Sequence, residues 1–114
     1  MKIIRTKNFP FGRYQTINLF GFLFTKDPYL DDKEINHEGI HTEQMQEMLY
    51  LGFYLWYVIE FVIKFLLCFN WHRAYWSLAY EQETYYNDQN LAYLNERKHY
   101  AWIKYIFKMP KKHP

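Results

Sequence analysis

His37 and His41 flank Glu38 in the stretch INHEGIHTEQ (35–44), and side chains of these types at this spacing can build a hydrolytic metal site. In a helix, residues four apart stand one above the other, so both imidazoles can aim a ring nitrogen at a single point. That geometry suits Zn2+, which takes imidazole nitrogen at about 2.0–2.1 Å in a tetrahedral shell. Glu38 is rotated about 100° around the helix from His37, so its carboxylate lies beside the cation and not on it. There it can accept a proton from a zinc-bound water as general base. The competing reading is a solvated amphipathic helix that carries two ordinary surface histidines.

A catalytic centre of this kind needs a third protein ligand. The stretch AYEQETYYND (79–88) supplies carboxylates on a second predicted helix. Glu81 and Glu83 point about 200° apart there, so only one can face the site. Glu81 shares its face with Ala74, Leu78 and Tyr85, and the small Ala74 would admit a neighbouring helix; Glu83 shares a bulkier face with Trp76, Tyr80 and Asn87. Glu81 is therefore the better metal ligand and Glu83 the alternative. Two imidazoles and one carboxylate leave a fourth position for water, whose pKa the cation lowers towards about 7. Gln44 and Met48 extend the histidine face. Tyr85 or Tyr86 could donate a hydrogen bond to the oxyanion, although with 12 tyrosines in the chain plain packing competes with that role. His72, His99 and His113 have no partner at ligand spacing and read as surface or cap residues.

The elements that must position these groups follow from local signals. Asp31 followed three residues later by Glu34 predicts a helix start near Asp32. Continued unbroken to Phe69, that helix would be about 57 Å long, more than a domain of this size can cover, so a break is expected near Gly52. Asn70 can cap a further helix from Trp71 or His72 to about Asp88. One helix or a pair should follow from Asn90 to about Lys108, with MPKKHP (109–114) as a frayed tail. At the front, KIIRT is β-prone, Pro10 and Gly12 punctuate a turn, and YQTINLFGFLF (14–24) alternates as a strand with Gly21 at a bulge or bend. Pro28 then ends the sheet region. The expected fold is mainly α with a small N-terminal β-hairpin, an α+β chain: one domain over 1–114, with the hairpin region at 1–26 and a helical metal-binding core at 31–108.

The 114 residues, half of them hydrophobic and 23% aromatic, fit one packed unit. A net charge of +2, with no RNP, KH or zinc-finger pattern, argues against nucleic acid. Cys68 is the only cysteine, which rules out a disulfide within the chain and a thiolate cluster. The N-terminus lacks a secretory h-region, which points to the cytoplasmic side, peripheral to the inner face of the membrane if lipid is met at all. Leu51 to Phe69 admits three readings: a spanning helix, a helix wrapped by its own domain, or a helix with one apolar face in a bilayer interface or a dimer partner. Arg97 to Lys112 alternates bases with aromatics and could lie on an anionic leaflet. So short a chain has little room for a deep cleft, which makes a homodimer plausible.

HEGIH is similar to the zinc motif of the zincin metallopeptidases, and EQETY (81–85) is similar to the downstream glutamate element of the membrane-linked gluzincins. The pairing of INHEGIHTEQ with AYEQETYYND also resembles a family of small bacterial proteins with an N-H-E-x-I-H-x-x-Q block and a later E-x-E-A-Y block, over about Phe20 to Tyr105. The resemblance implies a minimal gluzincin with a zincin-like helical core. His37, His41 and Glu81 would bind zinc, Glu38 would be the base, and an extended peptide substrate would pair with the strand near Ile17 to Phe24. Thr84 stands where the pattern has Ala, and Tyr85 where the larger peptidases have an Asp supporting a histidine ligand, which leaves that role to Tyr85 or to no residue. The alternative reading is a catalytically inactive zinc-binding or membrane-surface interaction protein.

Overall fold

The computed structural model describes residues 1–9, 16–27 and 29–114. It is mainly α with a small three-stranded sheet at the N-terminus. The strands are β1 (Lys2–Arg5), β2 (Thr16–Leu19) and β3 (Phe22–Thr25), followed by helices α1 (Asp32–Glu47), α2 (Leu51–Cys68), α3 (Trp71–Trp76), α4 (Ala79–Asn87) and the short α5 (Tyr93–Glu96). A 3-10 turn at Ala101–Tyr105 completes the order.

The hairpin joins β2 to β3, with Thr16 opposite Thr25 and Leu19 opposite Phe22. Its two loop residues, Phe20 and Gly21, have φ of 54° and 86°. Two successive positive φ angles match the twist of antiparallel strands, so Gly21 forms the turn itself and not a bulge. β1 adds parallel to β3, from Lys2 beside Phe22 to Arg5 beside Thr25. Among the described residues, the resulting order β1-β3-β2 leaves one edge of β2 unpaired within the sheet. The turn read at Pro10 and Gly12, and the break at Pro28, lie outside the described residues.

α1 starts where its capping residues place it: the Asp31 side chain accepts from the Glu34 backbone N–H at 2.8 Å. It ends at Glu47, several residues before the expected break at Gly52, which instead lies in the first turn of α2. The reversal falls on Leu49 and Tyr50, whose φ of 53° and 62° are unusual for residues with a Cβ. The Tyr50 N–H reaches back to the Met45 carbonyl at 2.7 Å, which closes the turn. Asn70 caps α3 as expected, accepting from the Arg73 N–H. The helix read as continuous to Asp88 is divided at Ser77 and Leu78, because the buried Glu60 carboxylate accepts the Ala79 N–H and starts α4 afresh. Beyond Asn90 only α5 and the 3-10 turn are helical, so the long final helix is not formed.

The core gathers between α1, α2, α4 and the 3-10 turn: Met45, Phe53, Ala79, Tyr80, Trp102 and Tyr105. The Phe53 and Tyr80 rings stack with centroids 4.3 Å apart. The tail after Lys108, expected to fray, lies along α3, where Arg73 donates to the Met109 and Pro110 carbonyls at 3.2 Å. Glu60 and Lys64 pair at 2.8 Å as their spacing suggests, but on the buried side of α2.

Candidate metal centre

α1 and α4 pack face to face, and three ligand atoms meet between them: one each from His37, His41 and Glu81, all within 4.8 Å of one another. Glu81 Oε2 lies 3.3 Å from His41 Nε2 and 4.0 Å from His37 Nε2. Ligand atoms about 2.0–2.1 Å from a tetrahedral ion would be about 3.4 Å apart, a separation that the Glu81–His41 pair meets and the Glu81–His37 pair exceeds. Glu38 is not one of the convergent three. Among the described residues no hydrogen bond ties its carboxylate, and it lines the open groove next to both histidines.

Each imidazole is held from behind. His37 Nδ1 lies 3.1 Å from Asp88 Oδ2, and His41 Nδ1 lies 2.8 Å from Gln44 Oε1. The Gln44 amide is oriented by its own donors, which reach the Tyr80 carbonyl and Glu83 Oε1, so its oxygen must face His41. Both Nδ1 atoms thus act as donors, and both Nε2 lone pairs are left for a cation. Glu81 is 3% exposed, and among the described residues its Oε2 has no hydrogen-bond partner, facing the His41 and His37 Nε2 atoms at 3.3 and 4.0 Å. An acceptor buried without a donor is costly unless a cation or a proton faces it. Two imidazoles and one carboxylate form a donor set that zinc accepts.

Glu83, the alternative ligand, is excluded by position. It is fully buried on the other side of α4, where the Arg97 guanidinium and the Tyr93 hydroxyl hold it. Its use is indirect, as the anchor of Gln44. The Asp88 contact corrects the expectation that the support of a histidine falls to Tyr85 or to nothing: Asp88 stands seven residues, two turns, beyond Glu81 on the same face. Asn36 fixes that end of α4 by donating to the Asp88 and Asn90 carbonyls at 2.9 and 3.0 Å. Tyr85 sets its ring edge-on to His37 at 5.2 Å. Tyr75, which carries no signal in the sequence, shares the groove with Glu81, and burial and the neighbouring Glu81 push its hydroxyl well above the usual range, so it remains a donor. His72, His99 and His113 are exposed, as read.

The groove holds about 730 Å³ and runs from the histidines along β2 to aromatic side chains of α2. Asn18 brings β2 to the site by donating to the Glu38 carbonyl at 3.1 Å and the Thr42 hydroxyl at 3.0 Å.

Electrostatics tie protons to the site. Burial alone lowers the His41 pKa, but the Glu81 carboxylate outweighs it and raises the group from 6.5 to about 9 in the metal-free protein. Burial alone would raise Glu81, and His41 with His37 hold it below the usual carboxylate range. The raised His41 contributes stability that is fully present below about pH 6.5 and is lost as pH rises through about 9. The depressed Glu81 contributes stability present above about pH 4.5 and lost as pH falls through its folded value. A cation must displace the His41 proton, so its apparent affinity should rise about tenfold per pH unit between 7 and 9. Competition with a chromophoric chelator at three pH values measures this; a flat profile would remove His41 from the ligand set.

Comparison with protein-family models, with curated proteins and with solved structures gives no match.

Proposed function

We propose that this chain is a zinc-dependent metallopeptidase in which His37, His41 and Glu81 hold the ion and Glu38 is the general base. The observation that carries this reading is the convergence of three ligand atoms, with both Nδ1 atoms tied back and Glu81 Oε2 buried without a hydrogen-bond partner among the described residues. When bound, the cation supplies a Lewis acid that acidifies water and polarises a carbonyl. Glu38 receives the proton of the attacking water and passes it to the leaving nitrogen. The unpaired edge of β2 holds an extended peptide by backbone hydrogen bonds, in the register that brings its carbonyl beside Glu38. The Tyr75 hydroxyl, in the same groove, and the Tyr85 hydroxyl are the donors available to a developing oxyanion.

Glu38→Gln tests this reading. Metal content by mass spectrometry should stay at one ion per chain while cleavage of a quenched-fluorescence peptide library falls about a hundredfold or more. Equal cleavage by both proteins would take Glu38 out of the mechanism. A second reading, zinc as a structural staple without catalysis, draws on the way the three ligands bind α1 to α4. It requires that chelation unfold the protein and that the wild type cleave nothing.

A further inference from the structure

The groove beside the three converging side chains has two chemically different ends. Its acids and histidines, His37, Glu38, His41 and Glu81, gather at one of them. From there α2 supplies a wall. Phe53, Tyr54, Tyr57, Val58 and Phe61 line the groove, and at 100° per residue their spacing confines them to a stripe about 140° wide. Phe53 forms the buried edge of the stripe, and Val58, 59% exposed, forms its outer edge. The apolar lining begins at the site itself, because the Phe53 ring stands 6.3 Å from that of His41. It extends to Trp71, whose ring meets Phe61 edge-on at 4.7 Å.

β2 adds Ile17 and Leu19 to this lining, and its polar side chains are engaged within the protein. Thr16 pairs with the Thr25 hydroxyl at 2.9 Å, and Asn18 donates to the Glu38 carbonyl and the Thr42 hydroxyl. On the α2 side the Tyr54 hydroxyl accepts the Phe20 N–H at 3.1 Å. A charged side chain laid along this stretch would lose hydration and meet no opposite charge. The surroundings change beyond His37 and Glu38. A second cavity, of about 350 Å³, shares those two residues and is lined by Asp31, Lys33, Glu34 and Asp88. Polar and charged groups are solvated there.

We infer that the substrate is an extended peptide with a run of large, uncharged apolar side chains on one side of the scissile bond, and that this run lies along the aromatic wall of α2. Polar residues are accepted on the other side, in the second cavity. The inference rests on the peptidase reading and names the substrate class for it. At about 730 Å³ the groove is of the size that encloses a whole small ligand, so it admits more than one side chain. Backbone bonds to the edge of β2 are the same for every sequence, which leaves discrimination to the side chains that α2 meets. Alternate residues of an extended peptide share one face, so the wall reads a run and not a single residue.

Binding to the Glu38→Gln protein, followed by fluorescence anisotropy, tests this apart from catalysis. The probe is a labelled peptide with blocked ends, Gly-Ser flanks and the central run Leu-Phe-Leu-Phe. It should bind, and replacing the two inner residues of the run by Glu or by Lys should weaken binding about tenfold or more. Val58→Lys, added to Glu38→Gln at the exposed edge of the groove, should recover part of the loss for the Glu peptide and none for the Lys peptide. Leu66→Gln, on the solvent side of α2 outside the groove, should leave the preference as it was. Fragments cut by the wild type, mapped by mass spectrometry, should carry the apolar run on the same side of the broken bond. No binding, equal binding of the three peptides, an unchanged preference in Val58→Lys, or runs on both sides of the cut would each overturn the inference. Loss of binding in Leu66→Gln would also overturn it, by placing the peptide on the outer face of α2. A wild type that binds the apolar peptide selectively and never cuts it would refute the peptidase reading while the preference of the groove stands.

Discussion

Arg97→Met is expected to destabilise the fold by about 3–5 kcal/mol, read as a fall in the urea midpoint, and to weaken the zinc binding proposed above about 10–100-fold. Arg97 comes from the segment after α5 and is inserted between two acids. It meets Glu47 with Nη1 at 2.9 Å and Nη2 at 2.8 Å, and Glu83 with Nε and with Nη2 at 3.0 Å. Side-chain exposure is 4% for the arginine, 3% for Glu47 and 0% for Glu83, so water cannot replace the lost charge. Two buried carboxylates would be left facing each other, Glu83 with only the Tyr93 hydroxyl and the Gln44 amide as donors. The Gln44 amide also orients His41, which is how a mutation far from the proposed metal site reaches it. Arg97→Lys keeps the charge without the planar fork and should fall between wild type and Met. A near-neutral Arg97→Met would show that the network contributes little.

Lys64→Met should be comparably damaging, again about 3–5 kcal/mol, because it leaves the Glu60 charge uncompensated inside the protein. Lys64 Nζ lies 2.8 Å from Glu60 and also donates to the Ser77 and Lys108 carbonyls. Adding Glu60→Gln should recover part of the loss: the neutral amide oxygen can still accept the Ala79 N–H at the start of α4, while the buried charge is gone. Thermal melts of the two single variants and the double variant form the cycle. A double variant that melts below Lys64→Met alone would mean that hydrogen bonding, and not charge, dominates at this position.

The parts of the fold legible from the residue order are those written in neighbouring residues. Asp31, Glu34, His37 and His41 act within one helix, and their roles as cap and as converging side chains need only its period. The same period applied to a second helix lets only one of Glu81 and Glu83 face the site; the preference for Glu81 rests on the small Ala74 of its face, in a helix that the structure divides at Ser77 and Leu78. What stayed hidden depends on distant partners. Glu83 became an anchor because Arg97 and Tyr93 arrive from a later segment, and the contact of Asp88 with His37 spans 51 residues. A break near Gly52 is legible from helix length alone, but its seat at Leu49 and Tyr50 is not, because residues with side chains take the positive φ that glycine usually supplies. The pairing of β1 with β3 is likewise non-local. For α2, composition admits three environments, and only the folded chain shows that the side carrying its charges is the buried one.

The order of elements along the polypeptide has a practical corollary. Residues 42–80, with α2 among them, are the sole covalent tether between the half of the site that carries imidazoles and the half that carries a carboxylate. Cutting the backbone anywhere in that greasy segment would therefore leave the two halves of the centre joined by no covalent bond. Engineering for handling has to recolour its outer surface and leave the thread uncut.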